Sequence, residues 1–234
     1  SCISNRVGGS LISTTRWTGA SLKAILDEAG VQEGATHIQV YGSDGFHETL
    51  ALDLIAQDER IMLCYAWDGK PLAFEHGYPL RIYIPNRFGM KQPKWIESIE
   101  VVPNYRPGYW VQRGWSETAF MKATSVIDTV AVHEAYEQGG QMLIPIGGIA
   151  HAGDRGISKV EVQIDDGPWV EAKLRAPLSD TAWLIWRYEW PFSPGEYTLR
   201  VRCYDGTGEL QPVVPANPEP DGASGIFETA ARVE

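Results

Sequence analysis

The stretch Glu196-Tyr197-Thr198-Leu199-Arg200-Val201-Arg202-Cys203 decides the fold of the second half of this chain. Its apolar and polar residues alternate, and a period of two is typical of a strand with one buried and one solvated face. Further strand-like segments, each bounded by Gly, Pro or Asp, lie at 142–146, 160–164, 169–174 and 182–190. Short strands at this spacing predict an all-β, immunoglobulin-like sandwich.

The first half mixes helix and strand. Apolar residues recur at helical spacing from Leu22 to Ala29, with Thr18 or Ser21 available as an N-cap and Gly30 as a stop. Predicted strands cover residues 36–41, 61–67, 80–84 and 96–102. The two patterns together predict an α+β domain over residues 1–123 and an all-β domain over residues 124–234.

The composition is that of a globular protein with an acidic surface. Hydrophobic residues make up 44% and charged residues 21% of the chain, and the net charge is −10. Nucleic acids and anionic membranes attract clustered Lys and Arg, so the charge argues against both as partners. Cys64 and Cys203 lie in apolar, strand-like runs and are predicted to be buried. Cys2 lies outside such a run and needs a separate explanation.

Several motifs carry more information than composition and periodicity do. In the first half they are Cys2-Ile3-Ser4-Asn5-Arg6, Ile12-Ser13-Thr14-Thr15-Arg16-Trp17-Thr18-Gly19, His76-Gly77-Tyr78-Pro79-Leu80-Arg81 and Gly89-Met90-Lys91-Gln92-Pro93-Lys94-Trp95. In the second half they are Val160-Glu161-Val162, Asp166-Gly167-Pro168-Trp169, Ala182-Trp183, Asp205-Gly206 and Gln211-Pro212.

Taken in this order, the motifs resemble the sulfite oxidase family of molybdopterin-dependent oxidoreductases, and the resemblance covers essentially the whole chain. The opening motifs resemble the segment that follows the family's molybdenum-ligating cysteine. The next two resemble its "HGxPxR" and "GxKxxKW" signatures, and those of the second half resemble its dimerisation domain. The resemblance implies a molybdopterin-binding oxidoreductase domain over residues 1–123, lacking its N-terminal portion. It implies an immunoglobulin-like molybdenum-cofactor dimerisation domain over residues 124–234, and a homodimer formed through it.

A molybdenum–molybdopterin cofactor and its metal ligand are the first implications of this resemblance. Cys2 would bind molybdenum, because a thiolate is a soft, charged donor suited to a transition metal. The alternative is an ordinary thiol without a metal. His76 and Arg81 would contact the pterin and its phosphate, with the arginine as a fork-shaped donor. Their alternatives are a histidine bonded to a backbone carbonyl and a surface ion pair.

The resemblance extends the cofactor site to five more residues. Lys94, together with the backbone at Gln92 and Pro93, would complete the cradle for the phosphate, although a lone lysine is usually just solvated. Asn5 belongs to the motif of the ligating cysteine and is predicted to contact the cofactor. Asp44 aligns with an acidic residue that contacts the pterin, and its alternative is an ordinary Asp-Gly turn.

Differences from the family pattern concern the substrate. Val7 stands where sulfite oxidases carry an arginine that helps to hold sulfite, and an insertion that normally follows is missing. Trp115 aligns with the tyrosine beside the molybdenum, and an indole cannot relay a proton through an O–H group. We therefore expect oxygen-atom transfer at molybdenum on a small oxo-compound other than sulfite, with Trp115 at the catalytic pocket. The alternatives are a sulfite oxidase proper and a non-catalytic dimerisation fragment without bound cofactor.

The resemblance also bears on partners and on the extent of the chain. Electrons would pass to or from a cytochrome, a quinone or a haem subunit. The sequence begins without an initiator methionine, and the family's domain has strands before the cysteine, so we expect the native protein to begin earlier. The part present is then expected to hold the cofactor weakly or not at all. Family members are often exported or membrane-tethered, which favours a location outside the cytoplasm.

Overall fold

The computed structural model describes residues 1–234, which divide into two compact units. The first unit consists of Ser1–Ile3, Ser13–Phe120 and Glu219–Asp221. The second consists of Ser4–Ile12, Met121–Pro218 and Gly222–Glu234. The functional domains expected over residues 1–123 and 124–234 stay predictions. None of the helices combines the length and the apolar character needed to cross a membrane.

The first unit combines two antiparallel sheets with two short helices. Its elements are β1 (Trp17–Ser21), α1 (Leu22–Ala29), β2 (His37–Gly42), β3 (His47–Ala51), α2 (Leu52–Gln57), β4 (Met62–Trp67), β5 (Lys70–Pro71), β6 (Arg81–Tyr83) and β7 (Ile96–Val102). In one sheet β4 pairs with β1, β5 and β6, and the other has the order β3-β2-β7. Single 3-10 turns lie at Phe74–His76, Gly89–Lys91 and Val111–Arg113.

The helix predicted from the spacing of apolar residues is confirmed as α1. Of the two candidate caps, Ser21 is the one used, and its side chain accepts a hydrogen bond from the Ala24 amide at 3.3 Å. Gly30 ends the helix with φ of 75°, and its amide donates to the Leu26 carbonyl. The buried face of α1 joins a core formed by Leu22, Leu26, Ile38, Val40, Leu50, Ile55, Ile61, Ile82 and Ile84.

The second unit consists of two antiparallel sheets that contribute to one core. Its strands are β8 (Thr124–Val130), β9 (Tyr136–Gln138), β10 (Gln141–His151), β11 (Ile157–Ile164), β12 (Val170–Glu171), β13 (Lys173–Leu174), β14 (Leu184–Pro191), β15 (Gly195–Asp205) and β16 (Phe227–Val233). One sheet has the order β13-β14-β10-β8, and β9 also pairs with β10. The other sheet has the order β12-β11-β15-β16.

The stretch of alternating polar and apolar residues from Glu196 to Cys203 forms most of β15. Leu199, Val201 and Cys203 are fully buried, whereas the Arg200 and Arg202 side chains are paired with acidic residues on neighbouring strands. This arrangement confirms the predicted two-sided strand. The chain as a whole is mostly β-strand with few helices, which agrees in part with the predicted α+β and all-β domains, and the immunoglobulin-like type stays a prediction.

Two segments of the second unit differ from the prediction. The strand expected over residues 169–174 is two short strands, because the chain passes from one sheet to the other around the buried residue Ala172. The strand expected to end at Ile146 continues to His151. Gly147 and Gly148 form a bulge in the pairing with β8, where a Cβ on Gly148 would lie 2.0 Å from the Val126 carbonyl oxygen. These glycines let the backbones of β10 and β8 approach closely, and they do not end β10.

Candidate functional site

Two cationic side chains meet at one turn of the first unit. Arg81, at the start of β6, donates from Nη1 to the His76 carbonyl oxygen at 3.1 Å. Lys94 donates from Nζ to the neighbouring Glu75 carbonyl oxygen at 2.7 Å. Both acceptors belong to the 3-10 turn Phe74–His76. The turn therefore brings together two cations from different segments, one in β6 and one in the segment that precedes β7.

The surroundings of these cations favour the approach of an anion. Burial lowers the pKa of Arg81, and burial together with the charge of Arg81 lowers the pKa of Lys94. Arg81 Nε is buried and has no hydrogen-bond partner. A Cβ on Gly77 would lie 2.9 Å from Lys94 Cβ and 3.2 Å from Arg81 Cβ, so the backbone packs closely against both. A negatively charged group would compensate the crowded charges and satisfy the unpaired donor.

Aromatic rings form the other side of this turn. The His76 ring centroid lies 4.0 Å from that of Trp67, and the Trp67 ring stacks on Trp17 at 5.9 Å. The Arg81 guanidinium lies over the Trp17 ring, 4.7 Å from its centroid. His76 and Arg81 are thus fixed relative to each other by ring contacts and by the backbone bond.

The segment around Cys2 is held at the second 3-10 turn. The Gly89 amide donates to the Ser1 carbonyl oxygen at 2.8 Å, while Ile3 is buried on the other side. Cys2 itself is exposed. Gly89 begins the turn that leads through Lys91 to Lys94, so the thiol and the cations belong to connected segments.

The remaining predicted residues near Lys94 are held by local bonds. The buried side chain of Gln92 donates to the Ile84 and Arg87 carbonyl oxygens at 3.2 and 2.9 Å, and the Pro93 carbonyl accepts from the Ile82 amide. Asp44 lies at the exposed turn between β2 and β3 and accepts from the Phe46 amide at 3.0 Å, as an ordinary turn aspartate does. All three keep their predicted cofactor roles as predictions.

The contacts of two predicted residues lie elsewhere. Trp115 follows the turn Val111–Arg113, and its ring contacts Trp110 edge-on at 6.4 Å. The Asn5 side chain donates to the Gly9 carbonyl and accepts from the Leu11 amide within its own loop in the second unit. Their contacts therefore do not include the two cations, and the roles expected for them stay predictions.

One pair of charged residues was not anticipated from the sequence. Lys91 Nζ lies 2.9 Å from Glu48 Oε1, and the two side chains are 6% and 0% exposed. Burial raises the pKa of the Glu48 carboxyl, and the charge of Lys91 opposes this rise. The structure buries Lys91 between Met90 and Gln92, which are themselves buried, and no pattern in the sequence indicates its pairing with Glu48. No group of three or more His, Cys, Asp or Glu residues could hold a metal ion.

Known proteins resemble this chain in sequence and in fold. A model of the oxidoreductase molybdopterin-binding domain matches residues 1–110. Mitochondrial sulfite oxidase from Homo sapiens is 29% identical in an alignment of 221 positions that covers 82% of this chain and 41% of that protein. The "Uncharacterized oxidoreductase YuiH" of Bacillus subtilis (strain 168) is 34% identical over 99 residues, 42% of this chain and 50% of that protein.

This chain is similar to the sulfite oxidase family of molybdopterin-dependent oxidoreductases, and its residues 1–110 match a molybdopterin-binding domain. It spans less than half, 41%, of the length of the human sulfite oxidase that it matches. The crystal structure of the sulfane dehydrogenase SoxCD from Paracoccus pantotrophus has the same fold, with a TM-score of 0.76 and 22% identity, over 94% of this chain and 62% of that one. The motifs around Arg81 and Lys94 lie within the residues that match the molybdopterin-binding domain model.

This protein should show one reactive and two protected thiols. Burial raises the pKa of both Cys64 and Cys203 to about 12, whereas Cys2 is exposed. In metal-free protein at about pH 8, we expect iodoacetamide to label Cys2 and to spare the other two, because only thiolates react. Mass spectrometry of the peptides measures this, and labelling in guanidinium is the control for all three. Rapid labelling of Cys203 in the folded protein would contradict the buried core described above.

Proposed function

We propose that this chain is part of a molybdopterin-dependent oxidoreductase that transfers an oxygen atom at molybdenum to or from a small oxo-compound other than sulfite. The main support is the pair Arg81–Lys94, two crowded cations hydrogen-bonded to backbone carbonyls, within the residues matched to a molybdopterin-binding domain. When bound, the cofactor supplies the two-electron redox chemistry. The protein holds it, orients it and shapes the substrate pocket.

The residues at this turn fit the phosphate of the cofactor. Arg81 Nε needs an acceptor, and a phosphate oxygen is a strong one that also offsets the charge of Lys94. The half-buried ring of His76, which packs at a tilt against the Trp67 ring, would contact the pterin. The charge of Asp44 acts on Lys94. The Asp44 carboxylate would contact a pterin N–H. Gln92 and Pro93 would support this cradle, and Asn5 would contact the cofactor through the motif that it shares with Cys2.

Cys2 would be the protein ligand of the metal. Its side chain is exposed while the residues on both sides are fixed, so its sulfur is presented from an ordered backbone. Thiolates bind molybdenum-type centres because both partners are soft and the ligand carries a charge. A hydroxyl at this position would lack both properties.

The substrate class follows from two positions. Val7 carries no charge where sulfite oxidases have an arginine, so a small dianion loses a Coulomb attraction on which its binding depends. Trp115 has no O–H group where the family has a tyrosine, so it would shape the pocket without relaying a proton. Both differences favour a neutral or weakly polar oxo-compound, such as a sulfoxide.

Oxygen-atom transfer moves two electrons, so an external carrier such as a cytochrome, a quinone or a haem subunit would complete the cycle. The second unit is proposed to form a homodimer.

Substitution of Cys2 tests the enzyme assignment. We expect the intact protein to contain about one molybdenum per chain and Cys2→Ser to lose most of it, because a hydroxyl is a poor ligand for this centre. Metal analysis and the visible spectrum measure the loss, with Cys64→Ser as a control at a buried thiol. Equal metal content in the Cys2→Ser protein and the wild type would refute the ligand role. A metal-free wild type would favour the non-catalytic alternative.

Substitution of the two cations tests the phosphate cradle. Arg81→Ala and Lys94→Ala each remove a charge-assisted contact worth about 1.5–3 kcal/mol, so cofactor content should fall without global unfolding. Oxidative release of the pterin as a fluorescent product measures the content, and circular dichroism follows the fold. Lys23→Ala is the control, since Lys23 pairs with Asp27 on the surface of α1. Normal loading in both variants would show that the phosphate binds elsewhere.

Steady-state kinetics test the substrate class. With the loaded protein, we expect kcat/KM for the best sulfoxide or N-oxide to exceed that for the oxidation of sulfite by more than about tenfold, because a missing charged hydrogen bond costs about one to two orders of magnitude. Val7→Arg should raise the efficiency with sulfite by a similar factor, with Val7→Leu as the neutral control. Sulfite turnover within tenfold of the best compound would favour a sulfite oxidase proper.

A further inference from the structure

The buried ion pair Glu48–Lys91 has no role in the site as described so far. Both side chains are almost fully buried, and Glu48 Oε2 has no hydrogen-bond partner. Removing two charges from water is costly. Well-packed apolar side chains of similar volume often stabilise the folded state as much as a buried ion pair does. Stability alone therefore does not account for a lysine and a glutamate at these positions.

The lysine of this pair lies between two parts of the candidate site. Lys91 ends the 3-10 turn that begins at Gly89, and the Gly89 amide binds the Ser1 carbonyl oxygen beside Cys2 at 2.8 Å. Lys94 follows Lys91 closely in the chain and reaches the Glu75 carbonyl oxygen. The segment beside Cys2 is therefore attached at the start of this turn, and the chain that leaves the turn leads directly to Lys94, the proposed phosphate contact.

The glutamate of the pair is itself held in place. Glu48 Oε1 also accepts the Thr49 amide at 2.8 Å, and Thr49 Oγ1 donates to the Arg106 carbonyl oxygen at 2.5 Å. The backbone at Gly108 passes so close that a Cβ there would lie 2.2 Å from Glu48 Oε1. The carboxylate is thus enclosed between β3 and the loop that contains Arg106 and Gly108, and Lys91 meets a fixed acceptor.

We propose that Glu48 and Lys91 are positioning residues whose ion pair sets the placement of the turn Gly89–Lys91, and through it the placement of Cys2 relative to Lys94. A charge-assisted hydrogen bond fixes one arrangement of its partners, whereas apolar contacts are non-directional and permit the turn to shift. This inference rests on the proposed function, because Cys2 and Lys94 matter only if they hold the cofactor.

A pair of variants separates positioning from stability. Lys91→Met leaves the Glu48 carboxylate buried and unpaired, so its thermal midpoint should fall. The double variant Glu48→Leu/Lys91→Met removes both charges and should regain a midpoint close to that of the wild type. Lys23→Met/Asp27→Leu is the matched control, since it removes an exposed ion pair on α1.

The decisive readouts are local order and cofactor content in the intact protein. In the double variant, amide hydrogen exchange at Gly89, Lys91 and Gln92 should accelerate by about tenfold or more, because the turn opens locally. The molybdopterin content should fall by a similar factor, since a loosened support misplaces the groups that it carries. The control should change neither. Unchanged exchange in the double variant, or accelerated exchange with full cofactor content, would overturn the inference.

A conservative variant covers the case in which the double variant does not fold. Glu48→Gln keeps an oxygen that can accept from Lys91 and Thr49, so exchange and cofactor content should stay near those of the wild type. Loss of cofactor from folded Glu48→Gln protein with normal exchange at the turn would overturn the inference. If the wild type contained no molybdopterin, the proposed function would fail, whereas exchange at Gly89 and Gln92 would still decide whether the ion pair orders the turn.

Discussion

Two like charges held side by side are the constraint around which the first unit is arranged. Arg81 and Lys94 repel each other, so the fold has to supply compensating groups until an anion does so. The backbone carbonyls of Glu75 and His76 supply them, and each accepts a hydrogen bond from one cation. Gly77 is required because its φ of 105° and the close packing against both side chains leave no room for a Cβ.

This charged turn is supported by the apolar core next to it. The Ile82 amide binds the Pro93 carbonyl oxygen and the Ile96 amide binds that of Leu80, so the two segments that carry the cations run beside each other. Ile82 itself is fully buried. A site supported by a strand in the core keeps its geometry better than one on a free loop, which suits the binding of a large cofactor.

The second unit shows that a motif shared with a family can have a structural role. Gln211 is buried, and its Oε1 accepts from Ser125 Oγ and from the Cys203 amide, while its Nε2 donates to the Gly225 carbonyl oxygen. This one side chain joins two strands and the end of the Pro-rich segment that precedes β16. Its hydrogen bonds account for its burial without any contact to a cofactor.

Much of this protein could be predicted from the sequence, because local patterns depend on neighbouring residues. The alternation in β15, the Ser21 cap and Gly30 stop of α1, and the order of the motifs around Cys2, Arg81 and Lys94 all belong to this class. Only the tertiary structure decided which distant groups meet. A charged residue such as Glu48 in a strand looks solvated until its partner is known, and Lys91 lies far away in the sequence. The passage of the chain between sheets at Ala172 and the shared turn beneath Arg81 and Lys94 likewise follow from strand pairing, which depends on long-range contacts that no local pattern contains.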